Sequence, residues 1–335
     1  MIFAIVQFAV AAAFIIVAGT FLSRFADEIA ETTGLGRLLI GSILLAGATS
    51  LPELTVDISA VRTGITDIAF GDLLGSCLFN LLILAVLDLS SVSRGRMLSQ
   101  LAASHALSGN VGASLIAVVS ICLLTQPLSA RGELLEISYG LWVVLAGYLM
   151  GIRLVYLDQQ ISAQASRNSD KASTSVSGKT WHQPALGFAV AAGVIVVAGP
   201  FLAESAGQIA EASGLGNSFV GTTLVAFSTS LPELVASLAA LRIGAHDLVI
   251  GNVFGSNAFN MVLFVPLDLA HRGPLLAAVS PNHALTGLAA VLATLIVVLG
   301  QLYHAERRRR VIEPDALLVI LVIGGALWII YELGR

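Results

Sequence analysis

The feature that most constrains this chain is a duplication inside apolar sequence. Gly41 to Leu89 and Gly221 to Leu269 align at a register shift of 180 residues without a gap, and 21 of the 49 aligned positions are identical by direct count. The identities include Pro52/Pro232, Glu53/Glu233, Arg62/Arg242, Asp67/Asp247, Gly71/Gly251, Gly75/Gly255, Ser76/Ser256, Phe79/Phe259 and Asn80/Asn260. At the centre of each copy stand two hydroxyls, a proline and a carboxylate within five positions: Thr49-Ser50-Leu51-Pro52-Glu53 and Thr229-Ser230-Leu231-Pro232-Glu233. Polar chemistry doubled in this way points to two halves built around one central site, the organisation of a transporter.

Composition decides the solvent. The 335 residues are 56% apolar and 11% charged, with a mean hydropathy of +0.90. A soluble domain carries roughly 25% charged residues, so the chain belongs in a bilayer. Cys77 and Cys122 both lie in apolar segments and suggest neither a disulfide framework nor a thiolate metal site. Met1 to Leu22 is apolar, has no basic residue ahead of it, and exceeds the ~7–15 residues of a signal-peptide core. It reads as a retained span.

Ten segments are long enough to cross as helices, near 2–22, 37–61, 67–89, 101–125, 134–156, 185–203, 217–241, 247–269, 283–303 and 314–333. Residues 1–156 form one five-helix half and 185–335 the other, joined by a polar linker over 157–184 that is rich in Ser, Gln and Ala. An odd number of spans per half inserts the second half upside down. The expected fold is therefore an all-α membrane protein with ten transmembrane helices in two inverted five-helix repeats. With the N-terminus outside, thirteen Lys and Arg face the cytoplasm and four face out, which favours that orientation in a prokaryotic-type plasma (inner) membrane. Arg307 to Arg310 reads as a cytoplasmic anchor at anionic headgroups, not a nucleic-acid patch.

Pro52 has no N–H, so the carbonyl of Ala48 loses its helical partner; Pro232 does the same to Ser228. Freed carbonyls at membrane depth are tolerated where they line a cavity or meet a ligand. A single proline kink is commonplace, but two that each follow Thr-Ser and precede Glu are not explained by kinking alone. The third and eighth spans place glycines four apart, at Gly71/Gly75 and Gly251/Gly255. These serve close packing, and breaks at the midplane are expected in helices 2, 3, 7 and 8. Ser76 with Asn80, and Ser256 with Asn260, would then point at the opened motifs. Glu53 and Glu233 have no basic partner at similar depth, since Arg62 and Arg242 lie nine residues on. Two converging carboxylates make a site for a divalent cation or for protons. Neither motif holds His or Cys, which argues against zinc or copper.

At these residues the chain resembles the cation/calcium antiporter superfamily, and most of all its sodium/calcium exchanger branch. The hallmark there is a doubled alpha-repeat, G-T-S-x-P-E followed by G-N-x-x-G-S-N-x-F-N. Here the copies read Ala48-Thr49-Ser50-Leu51-Pro52-Glu53 with Gly71-Asp72-Leu73-Leu74-Gly75-Ser76-Cys77-Leu78-Phe79-Asn80, and Ser228-Thr229-Ser230-Leu231-Pro232-Glu233 with Gly251-Asn252-Val253-Phe254-Gly255-Ser256-Asn257-Ala258-Phe259-Asn260. The resemblance implies exchange of cytoplasmic Ca2+ for Na+ by alternating access. It implies that Glu53 and Glu233 hold calcium with Thr49 and Thr229 beside it. Sodium would use the same carboxylates with Ser50, Ser230, Ser76, Ser256 and the carbonyls of Ala46 and Ala226, while Asn80 and Asn260 complete the middle. It further implies that the first and sixth spans slide as a moving gate. The transported ions are the only ligands expected, with no cofactor, and the protein is expected to work as a monomer in lipid.

Ala48 and Ser228 replace the usual glycine of the pattern, a mild change, and the other departures fall in the first copy. Asp72 and Cys77 each replace an asparagine, and Asp57 lies one turn beyond Glu53 where the duplicate has Ser237. Asp57 and Asp72 read as hydrated vestibule positions, with a sharper alternative that one of them couples protons. A Ca2+/H+ antiporter with the same site is the nearest rival; its branch usually carries G-N-x-x-E where this chain has T-S-L-P-E. A channel is disfavoured by the inverted halves, and an intramembrane aspartyl hydrolase by the absence of G-x-G-D, so no enzyme is expected. His105 and His283 open the fourth and ninth spans in similar contexts and read as interfacial caps rather than pH sensors.

Overall fold

The structure is a computed structural model that describes residues 1–33, 46–90, 102–126, 133–135, 137–167, 182–242, 246–302 and 314–333. Among the described residues, nine helices are long and apolar enough to cross a bilayer. The expected second span accounts for the difference from ten: its residues 37–45 lie outside the described ones, and its remainder is seen from Ala46 onward.

In chain order the helices are α1 (Ile2–Thr33), α2 (Leu51–Arg62), α3 (Thr66–Ser90), α4 (Ala102–Leu124), α5 (Tyr139–Arg167), α6 (His182–Ser213), α7 (Asn217–Val220), α8 (Ala226–Thr229), α9 (Leu231–Arg242), α10 (His246–Ala270), α11 (His283–Leu302) and α12 (Pro314–Leu333). A two-residue hairpin, β1 (Glu133–Leu134) with β2 (Ile137–Ser138), leads into α5. Burial sorts the spans by depth. In α3, 78% of the apolar window is buried, and in α10, 61%, against 17% in α5. The two helices that carry Ser76/Asn80 and Ser256/Asn260 are thus the core, and α5 is a lipid-facing wall.

α1 and α6 are the long pair, 32 residues each. At 1.5 Å per residue each spans about 48 Å, well beyond the ~30 Å hydrocarbon core. They pack along one another, and each reaches the opposite copy of the motif. Gly19 of α1 sits directly on the Pro232 ring. A Cβ on Gly199 of α6 would lie 2.8 Å from Thr55 Oγ1, in the first turns of α2. Small residues permit these crossings.

Three expectations need correction. First, α3 and α10 run through without a break. The glycines do serve the close packing expected of them, but against the seventh span: a Cβ on Gly71 would meet the Thr222 amide nitrogen at 2.8 Å and the Ser218 carbonyl at 2.9 Å, and one on Gly75 the Thr222 backbone at 2.7 Å. The partner accommodates them, winding as a π-helix over Gly221–Val225, a wider turn that often marks a functional site. Second, the helix of α5 continues to Arg167, eleven residues into the stretch read as a flexible linker. Gln and Ala are good helix formers, and extending an existing helix needs no new nucleus. The residues 168–181 lie outside the described ones. Third, His283 is no interfacial cap: it is buried, at 1% exposure.

Polar contacts fasten the connection between the eighth and ninth spans. Asp268 accepts the Ser138 amide at 2.7 Å, the Ser138 hydroxyl at 2.9 Å and the Leu275 amide at 3.0 Å. Gln126 Nε2 donates to the Val279 carbonyl at 2.7 Å, and Thr66 Oγ1 to the Ala278 carbonyl at 3.0 Å.

Candidate cation site

The second and seventh spans change direction at a serine. Ser50 (φ −87°, ψ 9°) and Ser230 (φ −81°, ψ 1°) leave the helical region, although their amides still donate to the Ala46 and Ala226 carbonyls at 3.0 Å each. The chain then restarts as α2 and α9 with proline in the second position, where its missing N–H costs little. The restart places Glu53 and Glu233 in the first turn of a new helix. There the exposed backbone amides favour negative charge. Mid-membrane, that is an economical way to seat a carboxylate.

Both glutamates are fully buried, at 0% exposure, and none of their four oxygens has a hydrogen-bond partner among the described residues. They converge: Glu53 senses the charges of Glu233 and Asp72. Ser76 stands beside Glu53, while Thr49 and Ser256 stand beside Glu233. A buried carboxylate without partners costs several kcal/mol. Two of them at one centre ask for a cation, or for protons.

The remaining expected residues gather around the pair, and the copies interlock. Ser50 Oγ of the first copy donates to Asn260 Oδ1 of the second at 2.9 Å, and Asn80 Nδ2 donates to Asn257 Oδ1 at 2.9 Å. Thr229 Oγ1 donates to Asp72 Oδ1 at 2.7 Å, with Ser76 Oγ 3.3 Å from the same oxygen and 3.4 Å from Thr229. Thr49 Oγ1 donates to the Ala46 carbonyl at 3.3 Å, and the Ala226 carbonyl lies 3.4 Å from Thr229 Oγ1. Ser230 and Ser256 hydroxyls and Asn260 Nδ2 are buried without partners among the described residues. All twelve expected residues, including Ala46 and Ala226, are buried in this region.

Asp57 and Asp72 are not hydrated vestibule positions: both are at 0% exposure. α2 packs on α3, so the face beyond Glu53 turns inward and Asp57 comes up against Asp72. Asp72 is a residue the motif comparison flagged without placing in the site, and Asn257 was passed over in the same way. In the second copy the matching pair is neutral, with Asn252 Nδ2 donating to Ser237 Oγ at 3.4 Å.

Among the described residues no three His, Cys, Asp or Glu side chains are gathered so as to hold a metal by themselves. The oxygens gathered here belong to two carboxylates, hydroxyls, amide groups and backbone carbonyls. Such an all-oxygen set suits hard cations such as calcium and sodium.

A membrane protein of packed helices with paired carboxylates at its core defines the class. A family model described as sodium/calcium exchanger protein matches residues 3–88 and 184–331, most of the chain, so the chain belongs to that family. It is 42% identical over 74 residues to the sodium/calcium exchanger MaX1 of Methanosarcina acetivorans, 22% of this chain and 21% of that one. The sodium-calcium exchanger NCX_Mj superposes over 98% of both chains with a TM-score of 0.60 at 19% identity. An H+/Ca2+ exchanger, CAX, does so over 99% of this chain and 85% of that one, with a TM-score of 0.70 at 14% identity.

Proposed function

We propose that this protein is a secondary antiporter that extrudes Ca2+ in exchange for Na+, by alternating access through one central site. The observation that carries this reading is the pair Glu53 and Glu233: buried, with the charge of Glu233 felt at Glu53, and without hydrogen-bond partners for any of their four oxygens among the described residues. An empty site with two negative charges cannot cross a low-dielectric barrier. One calcium neutralises it, and so do sodium ions in number. Because the ions share ligands, binding one excludes the other, and that exclusion is the coupling. In this reading Thr49 and Thr229 flank calcium. Ser50, Ser230, Ser76, Ser256 and the carbonyls of Ala46 and Ala226 serve sodium, and Asn80 and Asn260 close the middle.

The ten-span layout follows, with two inverted five-helix repeats, 1–156 and 185–335, interrupted at Ser50 and Ser230 and sited in a prokaryotic-type inner membrane with the N-terminus outside. The site lies where the copies interlock, so a single chain suffices. Coupling to H+ is the second reading, favoured by the fold shared with CAX. Sodium is preferred because the T-S-L-P-E motif and the identity to MaX1 both fall on the exchanger side.

The test is calcium uptake into proteoliposomes with sodium and pH gradients imposed separately. Wild type takes up calcium under the sodium gradient alone; Glu53→Gln and Glu233→Gln each lower the rate at least about 100-fold, the loss of one charged ligand at a divalent site. Uptake driven by the pH gradient alone would move the assignment to proton exchange.

A further inference from the structure

One buried polar contact lies outside the ion site. His283 opens α11, and its Nε2 stands 2.9 Å from Asp67 Oδ1 at the start of α3 and 3.2 Å from Ser218 Oγ in α7. The same Asp67 oxygen accepts the Ser280 amide at 2.7 Å. The Phe70 ring lies 5.8 Å from the imidazole, centroid to centroid, and His283 Nδ1 is buried with no partner among the described residues. An ionised aspartate can only accept, so Nε2 carries the proton and donates.

The position of this contact gives it consequence. It ties together the starts of the third, seventh and ninth spans. One turn inward, Gly71 and Gly75 press against Gly221 and Thr222, backbone to backbone. At Ser76 and Asp72 the same two spans share Thr229 of the ion site. Latch, glycine seam and ligand hydroxyl thus run along one pair of helices. The duplication supplies the residue types again: Asp247 aligns with Asp67, and His105 stands in the context of His283. His105 lies against the start of α10, its ring 3.7 Å from where a Cβ on Gly251 would stand.

We propose that His283, acting through Asp67 and Ser218, is the positioning residue that clamps the third span to the seventh at one face of the molecule, so that the site opens to that face only when this contact breaks. The proposal rests on the exchange reading, since exchange needs the site to open to each face in turn. The His283 Nε2–H donates to an ionised Asp67 oxygen at 2.9 Å, and charge-assisted contacts of this kind are the stronger ones. Asp67 from α3 is the charged group facing the ring; α7 presents Ser218, and the connection before α11 presents Ser280.

The experiment uses the full chain with Cys77→Ala and Cys122→Ala, carrying Thr222→Cys as a reporter in the seam, where Thr222 is fully buried. A water-soluble maleimide reads the opening. His283→Ala and Asp67→Asn raise the labelling rate about tenfold or more, as expected for losing a charge-assisted contact. His283→Gln keeps a donor and stays within about threefold of the parent at neutral pH. Unchanged labelling in both His283→Ala and Asp67→Asn overturns the proposal, as does a His283→Gln variant that labels as fast as His283→Ala. If the clamp effect is seen but calcium alters labelling in no variant, the clamp stands and the exchange reading falls.

Discussion

The two copies of the duplicated unit place the same glycines in opposite surroundings. A Cβ on Gly71 or Gly75 of the first copy would fall within 3 Å of the backbone or side chain of the seventh span, whereas one on Gly251 would find the His105 ring at 3.7 Å, and one on Gly255 the Ala46 Cβ at 3.9 Å. A cavity of about 90 Å³, lined in part by Ala46, His105, Tyr148, Gly251 and Gly255, occupies the space on the second copy's side. The charges differ in the same sense. Asp57 and Asp72 stand where the second copy has Ser237 and Asn252. Equal sequence therefore does not mean equal environment: one copy is pressed shut and carries two further buried acids, the other is looser and has a serine and an asparagine in their place. Under the exchange reading proposed above, this is the form expected of one state of the cycle, with one seam closed and its counterpart relaxed.

The largest effect should come from the glycines. Gly71→Ala forces the third and seventh spans apart against backbone atoms that cannot swing away, so transport should fall about 100-fold or more, with a lower melting temperature. Gly251→Ala should stay within about twofold, because its new methyl group meets only ordinary van der Waals contact. Uptake assays normalised to folded protein decide the matter. Equal damage from both substitutions would mean that the asymmetry carries no weight in the cycle.

Much of this was legible in the sequence, for physical reasons. The spans declare themselves because bilayer depth demands about 20 apolar residues in a row. The site declares itself because carboxylates, hydroxyls and prolines are costly there and yet occur twice. What sequence misjudged was the midplane break expected beside the packing that Gly71 and Gly75 do perform. A G-x-x-x-G spacing looks the same whether it breaks a helix or packs one, and here Gly71 and Gly75 pack α3 while the π-turn at Gly221–Val225 takes up the irregularity. The sequence was silent on contacts between distant segments. Nothing local announces that Asp268 will seat Ser138, 130 residues away, or that Asp67 will meet His283, 216 residues away. The placement of Asp57 failed for a related reason: a carboxylate one turn along a helix reads as reaching toward water, and only the packing of α2 on α3 shows that its face is inward.

The acidic asymmetry gives the finer predictions, graded by distance from the ions. Asp72 accepts a hydrogen bond from Thr229, a site residue, at 2.7 Å. Asp72→Asn keeps an acceptor but removes the charge, so calcium affinity should weaken about tenfold. An electrostatic contribution scales with the charge of the ion, and the same change should weaken sodium binding only about threefold per ion.

Asp57 stands one place further out, behind Asp72. Asp57→Ser restores the residue found in the second copy and should cost calcium about threefold and sodium less than about twofold, by the same scaling. Titration of calcium against competing sodium, on purified protein, reads both affinities at once. The ratio is the discriminating quantity, because the two explanations of these aspartates separate on it. If Asp57 and Asp72 act through charge, the divalent ion loses the square of what the monovalent ion loses. If they act by holding α2 against α3, both ions lose equally and the ratio stays at the wild-type value. An unchanged ratio in both variants would reduce the first copy's acidity to packing, and leave the closed glycine seam as the only functional difference between the halves.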